Sequence, residues 1–201
     1  MEKLEDIKED YQKYKWFFTS SRKLVIGGKS AKQNDELIKR AQGIKKDLIC
    51  MHTSEPGSPF SIILESSSKV TKKDLEECAS FTASFSRAWR SGKRRAIVDI
   101  FKILQLYKDK KMKTGTWGVN GEVVKVSVHL GLVLAKQKGI LRAIPEKSVR
   151  TKKSILLKIT PGKVDKKDML PKLHMELGEK YSQEEILAAL PAGGIKISRE
   201  K

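Results

Sequence analysis

Val124, Val126, Val128 and Leu130 alternate with Lys125, Ser127 and His129, so EVVKVSVHLGLVLAK carries the period-two pattern of a half-buried strand. Shorter apolar runs mark other strands. WFF, a turn at Ser20-Ser21-Arg22 and LVIGG read together as a hairpin. DLICMH and FSIILES flank the loop TSEPGSP. AIVDIFKILQLY is rich in β-branched residues, and SILLKIT ends before Pro161-Gly162. Helical spacing recurs in residues 1–15, with Leu4, Ile7, Tyr11 and Tyr14 on one stripe. A second helix runs from Ser30 to about Gln42 and stops at Gly43. The clearest helix is capped by Thr71, places Leu75, Cys78, Ala79, Thr82, Phe85 and Trp89 on a core face, and ends at Gly92. The tail from about Lys163 is helix-rich, and Ser182 with Glu185 forms a capping box.

Strands and helices without regular βαβ alternation predict an α+β fold. The expected architecture is a largely antiparallel mixed sheet packed against a few helices, with a small helix-rich C-terminal appendage. Residues 1–143 are expected to form one domain, and 144–201 a basic strand plus helical extension.

LVIGGKSAKQNDELIKR has the look of a strand, phosphate loop and helix. A P-loop needs a glycine five residues before Gly28, and that position holds Lys23. The NTPase reading therefore fails on spacing. Ser30 and Gln33 suit a capping box, and a helix N-terminus beside Lys29 attracts anions. The plain alternative is a tight turn in which Gly27 and Gly28 supply positive φ.

The charge balance changes the picture. Lys and Arg number 42 against 24 acids, giving +18. An excess of this size suits nucleic-acid binding. From Ser86 to Lys113 there are ten basic residues and two acids; Pro145 to Asp168 holds eight and three. Arg87, Arg90, Lys93, Arg94 and Arg95 are placed to neutralise several phosphates, although a basic run at a helix C-terminus also suits the dipole. Trp89 lies among them; its spacing favours the core, and base stacking is the alternative. Glu176, Glu179, Glu184 and Glu185 make the tail acidic. Cys50 and Cys78 read as buried thiols of a reducing compartment, and His52, His129 and His174 are too scattered for zinc. No metal or cofactor is expected. The charged N-terminus lacks a signal peptide and no run is long enough to span a membrane, so a cytoplasmic protein is expected.

Several segments occur together in an order that resembles the NFACT-R family. They are WFFTSSRKLVIGGKSAKQNDELIKR, DLICMHTSEPGSPFSIIL and CASFTASFSRAWRSGK, over roughly residues 14–95. This is the RNA-binding domain of ribosome-associated quality-control and fibronectin-binding-type proteins, also found as a standalone protein in archaea. The resemblance does not extend to the large N-terminal domain, helix-hairpin-helix pair and coiled coil of the multidomain members, so a standalone module is expected. The resemblance implies that residues 1–143 bind tRNA or rRNA on or near the ribosome, without catalysis. Candidate RNA contacts are Arg22, Lys23, Lys29, Lys32, Asn34, Lys39, Arg40, His52 and Ser58, with Arg87, Arg90, Lys93, Arg94, Arg95 and Lys113 in the basic run. Two alternatives stay open. One is an RNA-processing or RNA-modifying enzyme using His52 and Glu55. The other is an adaptor whose acidic 174–190 helix docks a protein partner. DNA binding is a variant of the main reading, since phosphate contacts do not distinguish the polymers.

Overall fold

The computed structural model describes residues 3–178 and 180–199, so Glu179 lies outside the described residues. Its larger sheet has six antiparallel strands in the order β1-β2-β4-β3-β5-β8. These are β1 (Lys15–Phe18), β2 (Leu24–Gly27), β3 (Leu48–Thr53), β4 (Ser61–Ser66), β5 (Arg95–Lys102) and β8 (Val124–His129). Successive side chains point to opposite faces. Trp16, Leu24, Ile26, Cys50 and Ile62 therefore enter one core with α1 (Leu4–Glu9) and α2 (Ala31–Gly43). Phe17, Val25, Met51 and Ile63 enter a second core on the other face. Burial on both faces explains why these strands read as continuous apolar runs.

The second core is closed by α3 (Lys72–Ser84), α4 (Arg87–Arg90) and a four-stranded antiparallel sheet ordered β10-β9-β11-β12. That sheet consists of β9 (Leu132–Gln137), β10 (Ile140–Ile144), β11 (Leu157–Asp165) and β12 (Gly194–Ser198). β9 precedes the 143/144 position, β10 runs through it, and β11 and β12 follow it. Helices α5 (Leu170–Leu177) and α6 (Gln183–Ala189) add Leu173, Leu177, Ile186 and Ala189 to the same core. β6 (Leu106–Tyr107) and β7 (Gly118–Val119) form a small ribbon. The α+β class is as the patterning predicts. Among the described residues no helix is long and apolar enough to cross a membrane.

Several expected elements are divided. The helix expected over residues 1–15 ends at Glu9 and continues as a 3-10 turn, Tyr11–Lys13, while the Asp10 carboxylate turns to Arg40. The helix expected from Thr71 to Arg90 breaks after Ser84: Ser86 Oγ donates to Ala83 O at 2.7 Å, accepts from Ala88 N at 3.1 Å and restarts it. EVVKVSVHLGLVLAK is two strands in different sheets, joined where Leu130 N donates to Arg94 O and Gly131 N to Ser84 Oγ. AIVDIFKILQLY is β5, a 3-10 turn and β6. The strand expected to stop before Pro161 runs through it as a bulge, where proline needs no ladder hydrogen bond. The tail adds β12 to its helices, and the acidic 174–190 stretch is α5 and α6 rather than one helix.

Because α3 lies between two sheets, it is buried around most of its girth, including Asp74 at 0% and Glu77 at 1% exposure. Asp74 accepts from Thr19 Oγ1 (2.6 Å), Thr71 N (2.8 Å), Thr71 Oγ1 (2.7 Å) and the Ser21 hydroxyl, and pairs with Lys23 at 3.0 Å. Glu77 accepts from Ser20 N (2.8 Å), Ser20 Oγ (2.6 Å) and Ser148 Oγ (2.9 Å). The β1–β2 turn is thereby bolted to α3. On the outer side of β1, Gln137 accepts from Phe18 N at 2.7 Å and donates to Phe18 O at 2.8 Å, and Arg142 Nε donates to Trp16 O at 3.2 Å. These side chains occupy polar groups that an edge strand would otherwise expose.

Burial alone would push the Asp74 carboxyl up; the hydrogen bonds from Ser21, Thr19 and Thr71 outweigh it and hold the group well below the usual carboxylate range. Its stabilising effect is full above the unfolded-state value near 4 and falls as pH drops below that. Asp74→Asn is expected to cost about 3 kcal/mol at pH 7, read by urea unfolding, with a smaller difference at pH 3. A loss as large at pH 3 as at pH 7 contradicts the assignment.

Candidate nucleic-acid interface

A cleft of about 600 Å3 opens where five segments meet. They are the start of β1 (Lys15), the β2–α2 turn, the β3–β4 loop, the α3–α4 junction (Phe85 and Arg87) and the loop Thr114–Trp117. Each wall has a local cause. Ser30 Oγ accepts from Gln33 N at 3.2 Å and caps α2. The Gln33 side chain reaches back to Lys29 N at 2.8 Å, one residue earlier than a capping box requires. Gly27 and Gly28 do not adopt positive φ. Gly28 is required by close approach instead, since a Cβ there would sit 2.2 Å from Asn34 Oδ1. Asn34 Oδ1 accepts from Phe60 N at 3.3 Å, tying the helix to the next wall.

The β3–β4 loop is held from within. Ser58 Oγ accepts from Thr53 N at 2.9 Å, and Thr53 Oγ1 donates to Glu55 O at 2.6 Å. Gly57, at φ 106°, leaves its carbonyl free to accept from Arg87 N at 2.9 Å, so α4 begins on this loop. His52 stacks on Phe60, with centroids 4.3 Å apart and planes 27° apart, and its Nδ1–H donates to Thr53 O at 2.7 Å. Burial lowers the His52 pKa against the opposing influence of Thr53 O and Asp99, favouring the neutral ring. The fifth wall hangs on Asp35, which accepts from Gly115 N (3.0 Å), Trp117 Nε1 (2.7 Å) and Lys108 Nζ (3.0 Å). Lys108 also lies over the Trp117 ring at 5.3 Å.

The cleft gathers unbalanced positive charge. Half-buried Lys15 lies 4.5 Å from the Phe85 ring centroid. Burial, then the nearby Arg142, Lys166 and Lys29 cations, pull its amine down to about 8. Burial and Arg142 lower Lys29 in the same direction. Among the described residues, no carboxylate lies within ion-pair distance of Lys15, Lys29, Arg87 or Arg142. Asp99, the acid of the cleft, is already paired with Lys125 at 2.8 Å. Like charges held together without counterions favour an incoming anion.

Of the residues expected from sequence, this cleft brings together Lys29, Asn34, His52, Ser58 and Arg87. Asn34 and Ser58 are buried and serve its walls. Arg87 also borders a smaller recess with Lys93 and Arg95. Lys93 pairs with Glu55 at 2.8 Å, and Arg95 donates to Ser127 and lies 2.8 Å from the His129 ring nitrogen. Arg90, Arg94, Lys32, Lys39 and Lys113 are exposed and do not line the cleft. Arg40 binds Asp10 at 2.9 Å and Tyr14 at 3.1 Å away from it. Lys23 is held by Asp74, and Arg22 stands at the far end of the hairpin. Trp89 is fully buried and donates to Gly194 O at 3.0 Å, so it belongs to the core. Lys15, Phe85 and Trp117 in the cleft, and Arg142 beside it, are not among the contacts that the sequence pattern marks. The lone lysine opening an aromatic strand was the available signal for Lys15; Arg142 had none, because it arrives from the other sheet.

The model of the family described as NFACT protein RNA binding domain matches residues 13–121, a span that contains every wall of the cleft. The chain is similar to an archaeal Rqc2 homolog, aRqcH, of Methanocaldococcus jannaschii: 30% identical over 203 residues, covering 94% of this chain and 29% of that protein. It is also similar to a ribosome quality control complex subunit NEMF homolog of Drosophila melanogaster, at 25% identity over 84% of this chain and 13% of that protein. The chain thus spans less than a third of the length of either curated relative. Among solved structures, the C-terminal part of the fibronectin/fibrinogen-binding protein of Streptococcus suis matches with a TM-score of 0.48 and 23% identity, covering 59% of this chain and 45% of that chain.

The charge cluster has a direct readout. The Lys15 amine is expected to titrate near pH 8 by side-chain NMR, and Arg142→Met is expected to move that midpoint upward. A midpoint near the ordinary lysine value of about 10.4 contradicts the clustering.

Proposed function

Because the chain belongs to the NFACT protein RNA-binding domain family, we propose that it is a non-catalytic module that binds structured RNA, tRNA or rRNA, at the ribosome in translation quality control. The observation that carries this is the cleft: three cations without carboxylate partners among the described residues, Lys15, Lys29 and Arg87, beside the half-buried aromatic side chains of Phe85 and Trp117. Cations hold phosphates and aromatic faces accept unstacked bases, the combination by which proteins grip exposed nucleotides. The name of the Drosophila melanogaster relative supports the ribosomal setting. The cytoplasm is where such a role is exercised.

The enzyme reading finds less support. General acid–base work needs a positioned titratable group within hydrogen-bond reach of the proton it moves, and this reading asks His52 and Glu55 to act at one site. His52 lines the cleft, whereas Glu55 borders the neighbouring recess and is occupied by Lys93 at 2.8 Å. His52 is engaged through Nδ1 and stacked on Phe60, which suits a fixed wall.

The test is fluorescence anisotropy with a tRNA transcript and a DNA of the same sequence. Lys29→Glu/Arg87→Glu is expected to weaken tRNA binding about ten- to hundredfold, roughly 1.4–2.8 kcal/mol. Binding is expected to weaken with a steep salt slope. Unchanged affinity in the variant contradicts the cleft as the RNA site; preference for the DNA contradicts the substrate class.

A further inference from the structure

The cleft occupies one end of the β1–β2 hairpin. About 10 Å along β1, by the rise of a strand, lies a second basic pocket of about 470 Å3. Its cations are Arg22, Lys136, Lys138 and Arg150, and among the described residues no carboxylate lines it. All four are exposed, and among the described residues none has a carboxylate within ion-pair distance. Lys138 lies 5.4 Å from the Phe18 ring centroid, and Lys136 lies 5.2 Å from that of Tyr181.

The pocket is preorganised from two directions. Arg22 and Lys138 have φ of 67° and 52°, and among the described residues only Lys45 shares this left-handed backbone without being glycine. Each stands in a hairpin turn. One turn is bolted to α3 through Asp74 and Glu77, and the two hairpins are joined by the paired Gln137–Phe18 hydrogen bonds. Between the pocket and the cleft, Arg142 lies 4.6 Å from the Trp16 ring centroid, so cations continue along the strand. Lys136, Lys138, Arg142 and Arg150 all lie beyond the family match.

We infer that the pocket of Arg22, Lys136, Lys138 and Arg150 is a second RNA-phosphate site, reached along the edge of β1 by an RNA already held in the cleft. This rests on the RNA-binding reading of the cleft. A nucleic-acid backbone suits the pocket better than a protein segment. The centre of a protein interface is depleted in charge, whereas four exposed cations rim this pocket and a lysine already lies over the Phe18 ring.

The test compares the salt dependence of tRNA binding in four proteins: the wild type, Lys138→Gln/Arg150→Gln, a charge-matched control Lys72→Gln/Lys73→Gln on α3, and Lys29→Glu/Arg87→Glu. The expected result is a slope shallower by about 1.4 to 1.8 in Lys138→Gln/Arg150→Gln, since each phosphate contact contributes about 0.7 to 0.9. Its affinity is expected to fall about tenfold, with the control at the wild-type slope. Wild-type slope and affinity in Lys138→Gln/Arg150→Gln overturn the second site alone if the cleft variant still loses RNA. An equal effect in the control also overturns it, because the charge then acts diffusely. Failure of the wild type to bind RNA removes the cleft reading and this inference together. Polyglutamate binding that depends on Lys138 and Arg150 while RNA binding does not assigns the pocket to an acidic protein and overturns the proposal.

Discussion

Two carboxylates with almost no solvent contact, Asp74 and Glu77, determine where the rest of this molecule sits. They occupy adjacent turns of a helix enclosed by two sheets. Burying two charges there is costly, and the cost is offset only because every hydrogen-bonding partner is supplied. Thr19, Ser20, Ser21 and Lys23 come from the β1–β2 turn, and Ser148 comes from the segment after β10. One helix face therefore positions the first hairpin of the large sheet and the chain leaving the small one. The hairpin in turn carries Lys15 at one end and Arg22 at the other, so the spacing of the two cationic regions follows from the same clamp.

The edge of β1 completes the arrangement. Free strand edges invite pairing with another chain. Here Gln137 and Arg142 approach from the small sheet and take up Phe18 N, Phe18 O and Trp16 O. The groups that seal the edge also belong to the charged surface, because Arg142 acts on both Lys15 and Lys29. Packing and the cationic surface thus share residues.

Local patterns made much of the fold legible. The hairpin turn, the Ser30, Thr71 and Ser182 caps, and the β3 and β4 strands either side of the 53–59 loop all follow from short-range chemistry. What escaped was long-range. Period-two alternation runs through Leu130 without marking that the chain changes sheets there. Asp74 and Glu77 look like the polar side of an amphipathic helix until a second sheet covers them. The same limit applies to the site. A count of basic residues favours Arg87 to Arg95, yet the cleft needs Lys15, Trp117 and the nearby Arg142, from distant parts of the chain. Charge density also fails to distinguish a cation facing solvent from Lys23 and Arg40, which are matched by Asp74 and Asp10.

The most direct measurement is photocrosslinking of a 4-thiouridine-substituted tRNA to the protein, followed by mass spectrometry of the modified peptides. The account predicts crosslinks on peptides carrying Lys15, His52 to Phe60, Phe85 and Trp117, the segments that wall the cleft. Crosslinks confined to β8 or to α5 and α6, with the cleft peptides unmodified, would contradict it.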